Sequence, residues 1–336
     1  MRGPNRSSRA RLAEAPLRTA RLADTPFAAQ DGILPPWPGA TVSVGRYNLF
    51  VRATPGGRHA EPAVYVHGLG GSSTNWTDLA GLLSPRLAGE ALDLPGFGRS
   101  FPPPDDDYSL RSHVRAVTEY LEYVKRGPVH LFGNSMGGAI AIVVAASRPD
   151  LVRTLTLVSP AVPDLRPRWQ RQDPVLPLML VPVLGTVLFR RLEQASPEIR
   201  VRRMLRLCFA DPTSVPPERL TDAVAEIRYR ARLGWASDAV IRSLRGLVAS
   251  YLAPGAGRMW ARMGTIEAPT LVIWGDRDRL VNVSRAARTA RAIPGARLLV
   301  IRDVGHVAQM EQPETVARAV LALLDDASDV LGTARP

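Results

Sequence analysis

Short runs that are apolar throughout recur along this 336-residue chain and limit the folds open to it. Segments of helical periodicity separate them, such as 109–126, in which apolar residues lie along one face. Strands of this kind are typical of parallel sheets with helices packed on both sides. The sequence therefore predicts an α/β fold with a mostly parallel sheet, opened by a hairpin that starts at Thr41. The apolar strands are expected at 63–68, 89–98, 129–132, 154–160, 270–276 and 297–303.

The alternation of strand and helix stops between 161 and 265. An apolar segment, 174–189, is followed there by an arginine-rich stretch of helical periodicity and by two amphipathic runs. We expect a helical cap over 161–265, inserted into a core formed by 39–160 and 266–336. Segment 174–189 contains three prolines and is shorter than the roughly 20 apolar residues that a spanning helix needs. A membrane-spanning interpretation is therefore rejected.

The chain has 43 basic and 31 acidic residues, a net charge of +12. Such a charge would suit nucleic acid or an anionic membrane, but the arginines are scattered and no nucleic-acid motif accompanies them. We expect no nucleic-acid partner, and leave peripheral contact with an anionic membrane and the oligomeric state open. Residues 1–38 are predicted to form a basic, flexible extension without a signal-length apolar core. The single cysteine, Cys208, excludes an intrachain disulfide and argues against a thiolate metal site, and a cytoplasmic location is expected.

Gly133-Asn134-Ser135-Met136-Gly137 stands between a predicted strand and a predicted helix at 136–147. It matches the G-x-S-x-G pattern in the strand–helix context that this pattern requires. A serine in a loop is more often an ordinary turn or helix cap. Here the glycines permit a strained turn, and the helix N-terminus favours developing negative charge beside the hydroxyl. We predict Ser135 as a nucleophile.

A serine hydroxyl needs a base, and the base needs an orienting acid. His306 lies in the loop after the last predicted strand, where α/β sheets hold their active sites. Asp278 and Asp276 follow the strand at 270–276, so both satisfy the chain order serine, acid, histidine. We predict His306 as the base and Asp278 as the acid, with Asp276 as the alternative and Asp164 as a weaker candidate. The remaining histidines are interpreted as structural or solvated: His59, His67, His113 and His130.

An oxyanion hole requires two backbone donors. The amide after the nucleophile, that of Met136, is the first candidate. The second is expected in the glycine-rich loop after the strand at 63–68, and we assign it to the amide of Leu69. No metal or organic cofactor is needed for this chemistry.

The chain contains a set of motifs in a defined order: His67-Gly68 with Trp76 downstream, DLPGFGRS at 93–100, GNSMGG at 133–138, GDRDRLV at 275–281 and GHVAQMEQPE at 305–314. They resemble the α/β-hydrolase superfamily over about 41–160 and 266–325. In that family an acid commonly occupies the fourth position of G-x-x-D-x-x-V, which supports Asp278. The valine is usually followed by proline, whereas Asn282 stands here. The family's aspartate nucleophiles are excluded, because position 135 is serine.

The resemblance implies a helical cap over the sheet and hydrolysis through an acyl-enzyme. Ser135 would attack a carbonyl while His306 takes its proton, Asp278 would hold the imidazolium, and the amides of Leu69 and Met136 would bind the oxyanion. The apolar segment of the cap is the only clue to substrate. It either packs the cap on the core or lines a tunnel for a lipophilic group.

We therefore expect a lipase-like serine esterase acting on a lipophilic ester with a hydrophobic acyl group. Two alternatives stay open: a carbon–carbon bond hydrolase or perhydrolase of the same fold, and a ligand receptor that turns over slowly.

Overall fold

The computed structural model describes residues 16–27, 32–164, 180–181, 184–252 and 257–332. Within these ranges a sheet of nine strands carries helices on both faces. The strands are β1 (Arg18–Thr19), β2 (Gly39–Val44), β3 (Tyr47–Thr54), β4 (Glu61–Val66), β5 (Leu87–Leu92), β6 (Val129–Asn134), β7 (Val152–Val158), β8 (Thr270–Gly275) and β9 (Arg297–Ile301). The helices are α1 (Thr77–Leu83), α2 (Leu110–Val124), α3 (Met136–Ser147), α4 (Leu184–Glu193), α5 (Pro197–Cys208), α6 (Pro217–Arg230), α7 (Ala236–Leu252), α8 (Gly257–Met263), α9 (Ala286–Ala292), α10 (Ala308–Glu311) and α11 (Pro313–Gly332).

The strand order is β1-β9-β8-β7-β6-β4-β5-β3-β2. Only the pairs that include β3 are antiparallel, and β2 and β3 form the predicted opening hairpin. All the other pairs are parallel, so the expected mostly parallel α/β sheet is confirmed. Strand β6 lies between β4 and β7 near the middle of the sheet, and its carboxyl end carries the predicted nucleophile.

Successive residues of the apolar strands face opposite sides of the sheet, and helices bury both sides. One core joins the sheet to α2 and α3 through Val64, Leu131, Leu155, Val117, Leu121, Ile140 and Val144. The other joins it to α1 and α11 through Tyr65, Phe132, Ile273, Leu79, Leu83, Val320 and Leu324. Burial on both faces explains why these strands are apolar throughout and do not alternate with polar residues.

Helix α2 illustrates how local sequence sets the element boundaries. Ser109 caps its N-terminus by accepting a hydrogen bond from the amide of Ser112 at 3.2 Å. The helix ends at Lys125, whose positive φ of 47° takes the backbone out of the helical conformation. The predicted segment 109–126 brackets the observed helix.

Part of the segment expected to form a flexible extension, 1–38, is described, and it contacts the sheet and α11. Arg18 and Thr19 form β1, a short edge strand parallel to β9. The amide of Ala23 then donates to the carbonyl of Arg318 on α11, and Phe27 packs against the core. Backbone groups make most of these contacts, so the side-chain pattern of this basic segment does not reveal them. Residues 1–15 and 28–31 lie outside the described part of the chain.

Helices α4 to α7 lie between β7 and β8 in the chain, within the region expected to form a cap. Polar and aromatic pairs join them to the core, namely Arg219 with Asp78, Ser243 with His113, and Trp235 stacked on Phe101. The apolar segment 174–189, predicted to pack the cap or to line a tunnel, lies partly outside the described residues, at 174–179 and 182–183. Among the helices of the described residues, none combines the length and apolarity that crossing a bilayer demands.

Candidate active site

The predicted nucleophile occupies a sharp turn between β6 and α3. Ser135 has φ 53° and ψ −117°, a conformation that non-glycine residues rarely adopt. Its amide donates to the carbonyl of Val158 at 3.0 Å, and its carbonyl accepts from the amide of Ala161 at 2.8 Å. The end of β7 and the segment after it therefore hold the strained backbone in place. The residue remains partly exposed, at the carboxyl end of the central strand.

Two glycines make this turn possible by close approach of backbone to backbone. A Cβ atom on Gly133 would lie 2.4 Å from the carbonyl oxygen of Gly137. A Cβ atom on Gly137 would lie 2.2 Å from the carbonyl oxygen of Val66 on β4. Real Cβ contacts are not this short, so both glycines of the G-x-S-x-G pattern are sterically required.

The structure brings His306 and Asp278 together. Nδ1 of His306 lies 2.9 Å from Oδ2 of Asp278, and the two side chains are 4% and 0% exposed. The other carboxylate oxygen of Asp278 accepts hydrogen bonds from the amides of Leu280 and Val281 at 2.8 and 2.9 Å. An ionised carboxylate only accepts, so the imidazole carries its proton on Nδ1 and leaves Nε2 free to accept one.

The other candidate acids lie elsewhere. Asp276, two residues away on the same loop, is exposed to solvent. Asp164 forms an ion pair with Arg285. Of the three acids that the sequence offers, Asp278 alone contacts the imidazole of His306.

Asn134, the last residue of β6, links the histidine loop to the serine turn. Its Nδ2 donates to the carbonyl of His306 at 3.1 Å and to that of Val158 at 3.0 Å. The backbone of His306 is thus held against the residue that precedes Ser135. Both residues are described, and the structure contains no hydrogen bond between the hydroxyl of Ser135 and the imidazole of His306. Catalytic hydrogen bonds are often long before substrate binds.

The predicted oxyanion loop forms a tight turn beside the serine. The amide of Gly71 donates to the carbonyl of Gly68 at 3.0 Å, and Gly70 has φ 74°. A Cβ atom on Gly68 would lie 3.0 Å from Cβ of Ser135, so the turn packs directly on the predicted nucleophile. The amides of Leu69 and Met136 donate to no other residue of the described chain, and that of Met136 is an unpaired N-terminal amide of α3. Both donors therefore remain available to a ligand.

His67 fixes this turn from the core side. It is fully buried, and its Nε2 accepts from the amide of Leu94 at 3.0 Å. Nδ1 must then carry the proton, and it donates to the carbonyl of Gly68 at 2.7 Å. Burial lowers the pKa of His67 and favours the neutral ring that this arrangement requires. The interpretation of His67 as a structural residue agrees with these contacts.

Arg230, at the end of α6, contacts the same turn from the cap side and lies outside every motif found in the sequence. Its Nη1 donates to the carbonyl of Gly70 at 2.6 Å. Burial lowers the pKa of Arg230, while Glu226 one turn earlier raises it. Burial likewise raises the pKa of the Glu226 carboxyl. No local signal could have identified Arg230, because one arginine among many in the cap is unremarkable until its partner is known.

Two other histidines serve as buried links. Nε2 of His113 on α2 lies 2.9 Å from the hydroxyl of Ser243 on α7, and burial lowers the pKa of His113 to about 3. Nδ1 of His130 lies 2.8 Å from the hydroxyl of Thr154 on the neighbouring strand. Neither contacts Ser135. In the described ranges, no group of three or more His, Cys, Asp or Glu side chains is arranged to hold a metal ion.

Comparison with known proteins gives one family. A family model for the alpha/beta hydrolase fold matches residues 62–313. The dihydrolipoyllysine-residue acetyltransferase component of the acetoin cleaving system of Pseudomonas putida is 31% identical over 80% of this chain, which spans only 65% of that protein's length. The 2-hydroxy-6-oxononadienedioate/2-hydroxy-6-oxononatrienedioate hydrolase of Cupriavidus pinatubonensis is 28% identical over 84% of this chain and 93% of its own.

Lipases are also among the similar proteins. Monoacylglycerol lipase ABHD6 of Rattus norvegicus is 27% identical over 81% of this chain and 77% of its own. Among solved structures, a bacterial membrane phospholipase A aligns with a TM-score of 0.69 and 26% identity, over 88% of this chain and 87% of its own. The sheet, the serine turn and the aspartate–histidine pair thus occur in a chain similar to hydrolases of more than one substrate class.

Proposed function

The chain belongs to the alpha/beta hydrolase fold family, and we propose that within it the protein is a serine hydrolase that cleaves carboxylic esters with a hydrophobic acyl group. One observation carries the proposal. The buried Asp278–His306 pair is held beside the strained turn of Ser135 by the side chain of Asn134. A serine next to a histidine of defined tautomer is the arrangement that acyl transfer requires.

In the proposed reaction, Ser135 attacks the ester carbonyl while Nε2 of His306 accepts the hydroxyl proton. Asp278 holds the imidazolium through Nδ1. The amides of Leu69 and Met136 bind the oxyanion, and the dipole of α3 adds to their effect. His306 then passes the proton to the leaving alcohol, which departs and leaves an acyl group on Ser135. A water molecule, activated by the same imidazole, releases the acid.

The substrate class rests on the similar proteins and on the cap. Both a monoacylglycerol lipase and a membrane phospholipase A are similar to the chain. The sequence at 174–189 is rich in apolar residues, which is the composition expected of a segment that binds an acyl chain. A lipophilic ester is the substrate that agrees with both.

Carbon–carbon bond hydrolysis is the second candidate, and a specific observation favours it. The similarity to the 2-hydroxy-6-oxononadienedioate/2-hydroxy-6-oxononatrienedioate hydrolase covers 93% of that enzyme. The triad residues and the fold are common to both reactions, so pocket residues decide between them.

A series of p-nitrophenyl esters from acetate to palmitate, assayed with the wild type and Ser135→Ala, tests the proposal. We expect kcat/KM to rise with acyl length in the wild type, and activity to fall to background in the variant. Equal hydrolysis by both proteins would refute an acyl-enzyme on Ser135. If a fluorophosphonate labels the wild type but no ester is cleaved, the 2-hydroxy-6-oxo dienoate substrate is assayed next. Cleavage of that substrate would establish the second candidate.

A further inference from the structure

One five-residue segment of the cap contacts both loops that carry the aspartate–histidine pair. This segment, 206–210, contains the last residues of α5 and the two that follow it. It precedes a short 3-10 turn at Pro212–Ser214. The loop after β8 contacts it through Arg279, the loop after β9 contacts it through His306, and helix α10 contacts it through Glu311.

Arg279 binds backbone carbonyl groups of this segment. Its Nη1 donates to the carbonyls of Arg206 and Phe209 at 2.5 and 2.8 Å, and its Nη2 donates to that of Ala210 at 3.3 Å. The carbonyls of a last helical turn have no partners within the helix and carry partial negative charge, so a guanidinium is well suited to them. Arg279 directly follows Asp278, and no carboxylate of the described residues forms a salt bridge with it.

The histidine loop and helix α10 after it reach the same segment by two further hydrogen bonds. The amide of His306 itself donates to the carbonyl of Cys208 at 2.6 Å. The carboxylate of Glu311 accepts from the amide of Ala210 at 2.8 Å and from that of Gly305 at 2.7 Å. One side chain thus bridges the cap segment and the residue before His306.

Packing leaves little freedom at this junction. A Cβ atom on Gly305 would lie 2.4 Å from the carbonyl oxygen of Cys208. A small apolar cluster beneath it joins the cap to the residue after the histidine, through Val201, Leu205, Phe209 and Val307. The loops of Asp278 and His306 are therefore both anchored to one short stretch of cap backbone.

We propose that Arg279 is a positioning residue, which keeps the carboxylate of Asp278 in register with the imidazole of His306 by anchoring the acid loop to cap segment 206–210. The inference rests on the proposed function, because register matters only if the pair acts on Ser135. It also assigns a static role to this end of the cap.

The test compares Arg279→Met with Arg277→Met. Arg277 lies two residues earlier on the same loop, and its side chain pairs with the exposed Asp303 and not with the cap. For Arg279→Met we expect kcat to fall about 10- to 100-fold, the range in which a misplacement of about 1 Å acts, with KM changed less than threefold. For Arg277→Met we expect both parameters to stay within twofold of the wild type. Arg279→Lys, which keeps the charge but cannot reach all three carbonyls, should recover part of the loss.

A readout without substrate separates this inference from the proposed function. The measurement is the proton NMR resonance of the Nδ1 proton of His306, which is to be assigned by its absence from the spectrum of His306→Gln. We expect it to broaden or shift in Arg279→Met and to remain unchanged in Arg277→Met. If the wild type cleaves no ester, the proposed function fails while this resonance still tests the positioning role. Equal kinetics and equal resonances in the two methionine variants would overturn the inference. Should Arg279→Met not fold, the same comparison is made with Arg279→Lys.

Discussion

Replacement of Asp278 by asparagine separates the role of this carboxylate in proton transfer from its role in the fold. Oδ1 of Asp278 accepts two backbone amides, and Oδ2 faces Nδ1 of His306. In Asp278→Asn the amide oxygen must take the Oδ1 position, because an NH2 group there would face two other donors. Such a buried mismatch costs about 1–3 kcal/mol. The NH2 group is therefore forced towards the histidine.

That orientation reverses the tautomer of the imidazole. A donor facing Nδ1 makes Nδ1 an acceptor, so the proton moves to Nε2. A ring with its proton on Nε2 cannot take the proton of Ser135. The same exchange of tautomer in a serine protease lowers kcat about 10⁴-fold, which corresponds to about 5.4 kcal/mol of transition-state stabilisation. We expect a loss of this order in Asp278→Asn.

The assay is the steady-state hydrolysis of the best p-nitrophenyl ester, with Asp276→Asn as the matched control. Asp276 is exposed, and we expect its variant to keep kcat within twofold of the wild type. Thermal unfolding should show that Asp278→Asn keeps its fold, since both amide contacts to Oδ1 survive. A similar loss in the two variants, or a larger loss in Asp276→Asn, would refute the assignment of the acid.

Three further predictions concern the surroundings of the site. Arg230→Met removes the donor to the carbonyl of Gly70, so the predicted oxyanion turn loses a contact and kcat should fall at least tenfold. Arg219→Met breaks a different contact between cap and core, and it should leave kcat within threefold of the wild type. Burial lowers the pKa of His113 to about 3. Below pH 6.5 the imidazole is therefore protonated in the unfolded chain but stays neutral in the folded state. This contribution to stability is present above pH 6.5 and is lost as the pH falls towards 3. Between pH 7 and 5.5 the wild type should therefore lose about 1 kcal/mol more free energy of unfolding than His113→Gln, and equal losses in denaturant titrations would contradict the sign. Gly133→Ala places a Cβ atom 2.4 Å from a backbone carbonyl and should lower the free energy of unfolding by about 1–3 kcal/mol or prevent folding, while a melting temperature like that of the wild type would show that the turn can relax.

Much of the fold and part of the site follow from local features of the sequence. The apolar strands predicted a parallel sheet because burial on both faces leaves no polar positions in a strand. The serine turn was predictable because a strained φ and two close backbone approaches admit few residue types, and Gly133 and Gly137 are those types. The order of serine, acid and histidine narrowed the partners, yet it left Asp276 and Asp278 equivalent. We chose Asp278, and the resemblance to a family supported that choice.

Only the tertiary structure distinguished these two aspartates. Strands β8 and β9 are neighbours in the sheet, so the loops after them meet, and of the two side chains only that of Asp278 turns inward to His306. The short strand at Arg18–Thr19 was equally invisible in the sequence, since its pairing uses backbone groups that every residue carries.

The chain by itself determined most of the strands and helices and the position of the predicted nucleophile, because periodicity and steric demands act over a few residues. The tertiary structure decided what surrounds that nucleophile. Arg230 donates to the carbonyl of Gly70, which is 160 positions away in the sequence. Arg279 donates to the carbonyl of Phe209, which is 70 positions away. A guanidinium can bind any exposed carbonyl, so its partner depends on which backbone groups folding leaves unpaired within reach, and no sequence pattern records that.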